Sequence, residues 1–149
     1  LLVGEQDQRV PLPAWVQRVI ADNPRVHRLG HTEDMPGHLA AMDVFVLASY
    51  REGFGNVLIE ASAMERPVIA SSVAGCRDAV RPGRTGLMVE PRSSESLLSA
   101  MRTLAGDAML RGEMGKNGRA WVEAEFDRAK IWQRLLDVYQ SLVDGTCHE

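Results

Sequence analysis

Apolar residues along the chain fall into short continuous runs, bounded by polar or glycine-containing turns. Runs of this kind are typical of buried strands. We predict five strands, at residues 1–3, 26–29, 44–48, 68–70 and 86–89, and helices between them at residues 13–21, 36–42, 56–64 and 77–80. Continuous apolar strands that alternate with helices predict an α/β fold, with a parallel sheet covered on both faces.

The pattern changes after Pro91 to helical spacing alone. It predicts helices at residues 95–105, 108–125 and 129–143. Gly112, Gly115 and Gly118 weaken the prediction of one unbroken helix in the middle segment, because glycine is a poor helix former. We therefore predict a single partial domain over residues 1–149, with a strand–helix core over residues 1–91 and C-terminal helices over residues 92–149.

Composition narrows the class of ligand and the compartment. The chain has 149 residues, 45% of them hydrophobic, which is enough for one sizeable core, and a net charge of -3 gives no cationic field for nucleic acid. Cys76 and Cys147 form no CxxC pair and have no metal-ligand spacing with the histidines. Asp43 interrupts the longest apolar stretch, which is too short to span a bilayer. We expect a cytoplasmic protein with small-molecule or protein ligands.

The start of the chain is typical of an internal segment. Leu1-Leu2-Val3-Gly4 has the pattern of a short buried strand with its turn glycine, and the first residue is not methionine. We expect the chain to be a fragment of a longer protein.

Residues 44–64 carry the strongest functional pattern, a strand, a glycine-containing loop and a helix. Ligands bind at such junctions, at the carboxyl ends of parallel strands. Free N–H groups and the helix dipole favour an anion such as a diphosphate. Gly53 and Gly55 would let that ligand approach the backbone closely.

Glu60 follows about one turn into this helix, whose other residues are nearly all apolar. A carboxylate in such surroundings needs a partner. At about 1.5 Å rise per residue, it stands roughly 6–7 Å along the axis from the helix start. That separation suits a carboxylate that binds a pair of hydroxyls while the helix start binds a phosphate.

Glu52 and Glu60 are separated by seven residues, and Glu52 opens the run Glu-Gly-Phe-Gly. This pattern resembles the E-x7-E signature of the retaining GT-B glycosyltransferases of family 4. Four further segments resemble that family in chain order, at residues 26–31, 43–47, 66–71 and 86–91. The resemblance spans essentially the whole chain. It implies a Rossmann-like parallel sheet flanked by helices, the C-terminal donor-binding domain of a GT-B enzyme truncated at its N-terminus.

The resemblance also implies roles for individual residues. Glu52 would be the catalytic glutamate that contacts the donor sugar, and Glu60 would bind the ribose hydroxyls of the nucleotide. The base would lie beside the segment that contains Leu29, Gly30 and His31, although a strand-end turn at Gly30 and a surface position for His31 remain alternatives. The residues that would bind the donor sugar and phosphate follow Glu52 directly: Gly53, Phe54, Gly55, Asn56 and Val57.

The implied reaction is transfer of a sugar from a UDP- or GDP-sugar to a hydroxyl acceptor, with retention of anomeric configuration, in polysaccharide or glycolipid synthesis. The acceptor, a sugar or a lipid-linked sugar, would bind through an N-terminal domain outside these residues. The full-length enzyme would act in the cytoplasm, with peripheral membrane association as a further expectation. No Asp-x-Asp motif is present, so we expect metal-independent transfer without a cofactor.

The family's strand order, 3-2-1-4-5-6 by analogy, gives an expectation for the sheet. The first strand would precede Leu1 and would lie between residues 1–3 and 44–48. Its absence would open a hole in the sheet, so we expect that the two strands close up, that another chain fills the gap, or that the strand order is rearranged. Ala74-Gly75-Cys76-Arg77-Asp78 also departs from the family's commoner Gly-Gly-x-x-Glu. We do not expect this fragment to turn over alone.

Other interpretations remain open. A GT-B epimerase of nucleotide sugars would share the ribose-binding logic, and a non-enzymatic doubly wound module would have no nucleotide affinity. Cys76 has no histidine pattern of a nucleophile and is interpreted as a buried thiol. The basic residues near the end of the strand region are interpreted as a solvated face, with contact to an anionic acceptor or phosphate as the alternative: Arg77, Arg81, Arg84 and Arg92.

Overall fold

The computed structural model describes residues 1–6 and 9–145. Contacts group the chain into two compact units, Leu1–Met42 and Asp43–Glu149. The predicted division of the chain at residue 91 separates the strand–helix region from the C-terminal helices and is a different division from this one. It stays a prediction.

The first unit holds one short parallel sheet and two helices. Its elements are β1 (Leu2–Val3), α1 (Ala14–Asp22), β2 (Arg28–Leu29) and α2 (Met35–Ala40). Strands β1 and β2 pair in parallel, with Leu2 opposite Arg28. The side chain of Asp34 caps α2 by accepting a hydrogen bond from the N–H of Gly37, at 2.9 Å. The structure confirms all four predicted elements of this unit, each with shifted ends.

The second unit is built on a three-stranded parallel sheet in the order β3-β4-β5. All four residues of the central strand are buried, as expected for a strand covered on both faces. The structure confirms the predicted α/β class, with parallel strands flanked by helices. The elements are β3 (Phe45–Leu47), α3 (Asn56–Ala63), β4 (Val68–Ser71), α4 (Ala74–Asp78), β5 (Gly86–Val89), α5 (Ser94–Gly106), α6 (Ala108–Glu125) and α7 (Arg128–Val143).

The described strands therefore form two sheets and not one. One sheet lies in each unit. The expected consequences of the absent first strand stay predictions.

The core of the second unit joins the sheet to two of the C-terminal helices. Ile69 and Val89 come from the sheet, Ala100 and Leu104 from α5, and Met114 from α6. These residues form one buried cluster, so α5 and α6 belong to the same core as the sheet. Apolar burial of this kind stabilises by roughly 25 cal/mol per Å² removed from water.

Helix α6 is continuous over Ala108–Glu125, the predicted range, in spite of its glycines. A Cβ on Gly115 would overlap the carbonyl oxygen of Glu65, at the end of α3. A Cβ on Gly118 would lie 3.3 Å from the Cβ of Ser62. These two glycines let α3 and α6 approach closely, and that packing offsets their poor helix propensity.

The short helix predicted at residues 77–80 was misplaced, since α4 spans Ala74–Asp78. Gly75 is a buried residue of α4. Ala79 and Val80 come after the end of this helix and are fully buried. Their apolar character reflects burial and not helical periodicity.

Helix α7 has no buried residue. Several of its large apolar side chains are exposed, including Trp132 and Leu136. None of the helices within the described residues has both the length and the apolar character to cross a membrane.

We predict that Gly115→Ala destabilises the chain by about 1–3 kcal/mol, because the added methyl forces α6 away from α3. Gly112→Ala, three residues earlier in the same helix, is the matched control, since a Cβ there meets nothing within 4 Å. It should stabilise by roughly 0.5–1 kcal/mol. Urea unfolding of both variants measures the difference, and equal stabilities would contradict the packing argument.

Candidate functional site

The loop between β3 and α3 holds Glu52 at the carboxyl edge of the sheet. Glu52 is half-buried, and the Ser49 hydroxyl donates a hydrogen bond to its Oε1 at 2.6 Å. A short hydroxyl–carboxylate bond of this kind fixes the orientation of the carboxylate. Sequence reasoning did not identify Ser49, whose position three residues before Glu52 was the available signal.

Phe54 is held by an aromatic contact with the C-terminal helices. Its ring is 41% exposed and lies 6.1 Å from the ring of Phe126, centroid to centroid. Phe126 in turn meets Trp121 edge to face at 5.0 Å. Aromatic pairs in this range are favourable, so α6 and the residue that follows it support the loop from outside.

Helix α4 packs directly on the backbone of the loop. The N–H of Gly55 donates to the carbonyl oxygen of Gly75 at 3.2 Å. A Cβ on Gly75 would lie 2.6 Å from the carbonyl oxygens of both Glu52 and Gly53. Only glycine fits this approach. Gly75 is therefore a site-forming residue that the sequence did not reveal.

The N-terminus of α3 has no side-chain cap. The N-cap residue is Gly55, which offers no side-chain acceptor. The N–H of Asn56 donates to the carbonyl of Phe54 at 2.9 Å and that of Leu58 to Gly55 at 2.9 Å. No hydrogen bond within the described residues satisfies the N–H of Val57. An uncapped helix start with a free N–H favours an anion.

Gly53 and Gly55 occupy different environments. Gly53 is exposed, and a Cβ there would meet nothing within 4 Å. Gly55 is buried, and its Cβ would lie 2.7 Å from Cδ1 of Leu58. Packing alone thus accounts for glycine at position 55, whereas nothing inside the protein requires glycine at position 53.

Glu60 is exposed. The expectation that apolar surroundings force a partner on its carboxylate was wrong, because α3 buries Leu58, Ala61 and Ser62 on another face. No hydrogen bond or ion pair from the described residues reaches this carboxylate, so it is available to a ligand. Its place in the helix keeps the expected separation of about 6 Å from Asn56 along the axis.

The segment predicted to lie beside the base belongs to the other unit, at the end of β2. Leu29 and His31 are exposed. The carbonyl oxygen of Gly30 accepts a hydrogen bond from the N–H of Gly4 at 3.2 Å. A Cβ on Gly30 would meet nothing within 4 Å, and its φ lies outside the left-handed region. The backbone conformation therefore does not require glycine there, and contact with the base stays a prediction.

Cys76 is a free, fully buried cysteine. Burial, and secondly the charge of Glu52, raise the pKa of its thiol. A thiol with a raised pKa is a poor nucleophile at neutral pH. The structure confirms the interpretation of Cys76 as a buried thiol.

Comparisons with known proteins agree with one another. The sequence profile described as "Glycosyl transferases group 1" matches residues 1–107. The chain is 39% identical over 143 residues to a capsular polysaccharide biosynthesis glycosyltransferase, CapM, of Staphylococcus aureus, covering 96% of this chain and 38% of CapM. It is 30% identical over 143 residues to the N,N'-diacetylbacillosaminyl-diphospho-undecaprenol alpha-1,3-N-acetylgalactosaminyltransferase of Campylobacter jejuni, covering 96% of this chain and 37% of that protein.

Among solved structures, the chain is similar to Anabaena Alr3699/HepE in complex with UDP-glucose. The TM-score is 0.81 at 28% sequence identity, covering 94% of this chain and 40% of HepE. The chain thus spans about two-fifths of the length of these three proteins.

We predict that Gly75→Ala lowers the thermal unfolding temperature, because the added methyl group displaces the carbonyls of Glu52 and Gly53. The backbone NMR signals of these two residues should shift for the same reason. Overpacking of this kind costs about 1–3 kcal/mol. Gly53→Ala is the control on the same loop, and its unfolding temperature should stay at or above that of the wild type. A Gly75→Ala variant with unchanged stability and spectra would rule out the close approach of α4.

Proposed function

This chain belongs to the glycosyltransferases of group 1, and we propose that it supplies the nucleotide-sugar side of the active site. The observation that carries the proposal is the pairing of an uncapped α3 N-terminus with the exposed carboxylate of Glu60 on the same helix, for which the described residues offer no hydrogen bond or ion pair. The helix start suits a diphosphate, and the carboxylate one turn further along suits vicinal hydroxyls. A nucleoside diphosphate carries these groups in the same order, the diphosphate next to the ribose. The similarity to a protein in complex with UDP-glucose supports this assignment.

In the proposed complex the diphosphate lies at the start of α3. The free N–H of Val57 and the helix dipole stabilise its negative charge. Gly53 leaves the loop backbone open to the ligand, since no side chain covers it. Gly55 and Asn56 complete this part of the site. Glu60 accepts hydrogen bonds from the ribose 2′- and 3′-hydroxyls.

Glu52 is the proposed catalytic residue, in contact with the donor sugar. The hydrogen bond from Ser49 holds its carboxylate, and Gly75 fixes the backbone of the same residue from behind. Preorganised groups of this kind stabilise developing charge without reorganisation during the reaction. Phe54, supported by Phe126, is the proposed wall on the donor-sugar side.

The whole reaction that we propose is transfer of a sugar from a UDP- or GDP-sugar to a hydroxyl acceptor, in polysaccharide or glycolipid synthesis. The names of the S. aureus and C. jejuni relatives support a glycan or lipid-linked acceptor. Those relatives are much longer than this chain, and we assign acceptor binding to the additional part of such a protein. The proposed contacts with the nucleotide base are Leu29, Gly30 and His31.

We also propose that the whole enzyme acts in the cytoplasm, with peripheral membrane association.

We propose that transfer by the full-length protein retains the anomeric configuration and needs no metal, which agrees with the absence of an Asp-x-Asp motif in the sequence. Proton NMR of the product should show the anomeric configuration of the donor. EDTA should leave the rate unchanged. An inverted product, loss of activity in EDTA, or conversion of the donor into its epimer without transfer would each contradict the proposal.

Calorimetric titration with UDP, GDP, UDP-sugars and GDP-sugars tests the proposed roles of Glu60 and Glu52 separately. Glu60→Gln should weaken binding of UDP or GDP about tenfold or more, because charged hydrogen bonds to the ribose are lost. Glu52→Gln should leave the affinity for the free nucleotide unchanged and weaken binding of the nucleotide sugar. The matched control is Glu113→Gln, an exposed glutamate on α6. If Glu60→Gln binds the nucleotide as the wild type does, the ribose assignment fails.

A further inference from the structure

A separate cavity of about 230 Å³ lies at the same carboxyl edge of the β3-β4-β5 sheet. Its floor is formed where the three strands end, at Ala48, Ser71 and Val89. This edge is where open parallel sheets bind ligands. The residues assigned to the donor site do not line it. Its walls are Tyr50, Glu90, Arg92, Ser93, Ser94 and Leu97.

Ser71 gives the first sign of a ligand. The residue is 4% exposed and lines the cavity. No hydrogen bond within the described residues reaches its hydroxyl. A hydroxyl on a nearly buried residue that faces a cavity is therefore available to a hydrogen-bonding group that enters the cavity.

The start of α5 gives the second sign. Ser93 caps the helix by accepting from the N–H of Ser96 at 3.1 Å. The N–H groups of Ser94 and Glu95 have no partner within the described residues, and Ser94 lines the cavity. The helix has 13 residues, so its dipole adds positive potential at this end.

Arg92 supplies a full positive charge. Its guanidinium lies 5.3 Å from the centre of the Tyr50 ring, in a cation–π contact. Stacking on a ring face leaves the in-plane N–H groups free to donate. The backbone of Arg92 has φ 63, in the left-handed region that favours glycine. Replacement by glycine would therefore remove the guanidinium, and the backbone could keep its conformation.

We propose that this cavity binds an oxyanion, a phosphate or carboxylate group, through Arg92, the Ser71 hydroxyl and the N–H of Ser94. Glu90 is the one acidic side chain in the lining, and it is exposed at the rim. The proposal gives Arg92 the alternative role that the sequence left open, contact with an anion. The oxyanion assignment stands on these contacts alone, and only its extension to a phosphate-bearing or acidic sugar acceptor rests on the proposed transferase function.

Amide NMR of the 149-residue chain tests the site, with sodium phosphate, glucose 1-phosphate, glucuronate and glucose as probes at constant ionic strength. Phosphate and glucose 1-phosphate should give saturable shifts at the amides of Ser94 and Glu95. Arg92→Gly should weaken this binding about tenfold or more, because a charge-assisted hydrogen bond is lost. Ser71→Ala should weaken it less. Arg84→Gly, an exposed arginine outside this cavity, is the control and should bind as the wild type.

The probes separate the sources of the anion. Shifts with the two phosphates alone identify a phosphate site, and equal shifts with glucuronate identify a general oxyanion site; both support the proposal. Equal shifts with neutral glucose, no saturable shift with any anion, or wild-type affinity in Arg92→Gly would overturn it. Titration with UDP should instead shift the amide signals of Asn56 and Val57. Failure of the donor-site proposal and failure of the oxyanion proposal therefore affect the amide signals of different residues.

Discussion

The close approach of α4 to the β3–α3 loop is the contact on which the site depends. Gly75 allows it, because any side chain there would overlap the carbonyl oxygens of Glu52 and Gly53. The hydrogen bond from the N–H of Gly55 to the carbonyl of Gly75 then fixes where α3 begins. The direction of the free N–H groups and the place of Glu60 both follow from that starting point.

Packing from the C-terminal helices supports the same arrangement from the other side. Gly115 and Gly118 bring α6 against α3, and Phe126 meets Phe54 just beyond the end of α6. Helix α6 therefore contacts both the helix and the loop of the proposed donor site. Glycine, which weakens an isolated helix, here permits the backbone contact that positions the functional residues.

Much of the second unit could be predicted from the sequence, because its strands are short, apolar and buried on both faces. Strand β5 has the predicted bounds, and so does α6. The errors share one cause: the roles of Gly75, Gly115 and Ser49 depend on which backbone or side chain lies opposite, and periodicity carries no such information. Glu60 was assigned to the right helix, but its exposure depends on which face of α3 meets α6.

Two anion environments can now be compared along one sheet edge. At α3 an uncapped helix start is paired with a carboxylate, which suits a nucleoside diphosphate. At α5 a helix start is paired with a guanidinium and a buried hydroxyl, which suits an oxyanion alone. Both follow from parallel strands that end at the same edge and are each followed by a loop and a helix.

The most direct test of the central claim is a crystal structure of the chain with UDP. We predict that a carboxylate oxygen of Glu60 lies within hydrogen-bond distance of both ribose hydroxyls, with the diphosphate at the N–H of Val57. A nucleotide bound elsewhere, or a ribose with no contact to Glu60, would contradict it.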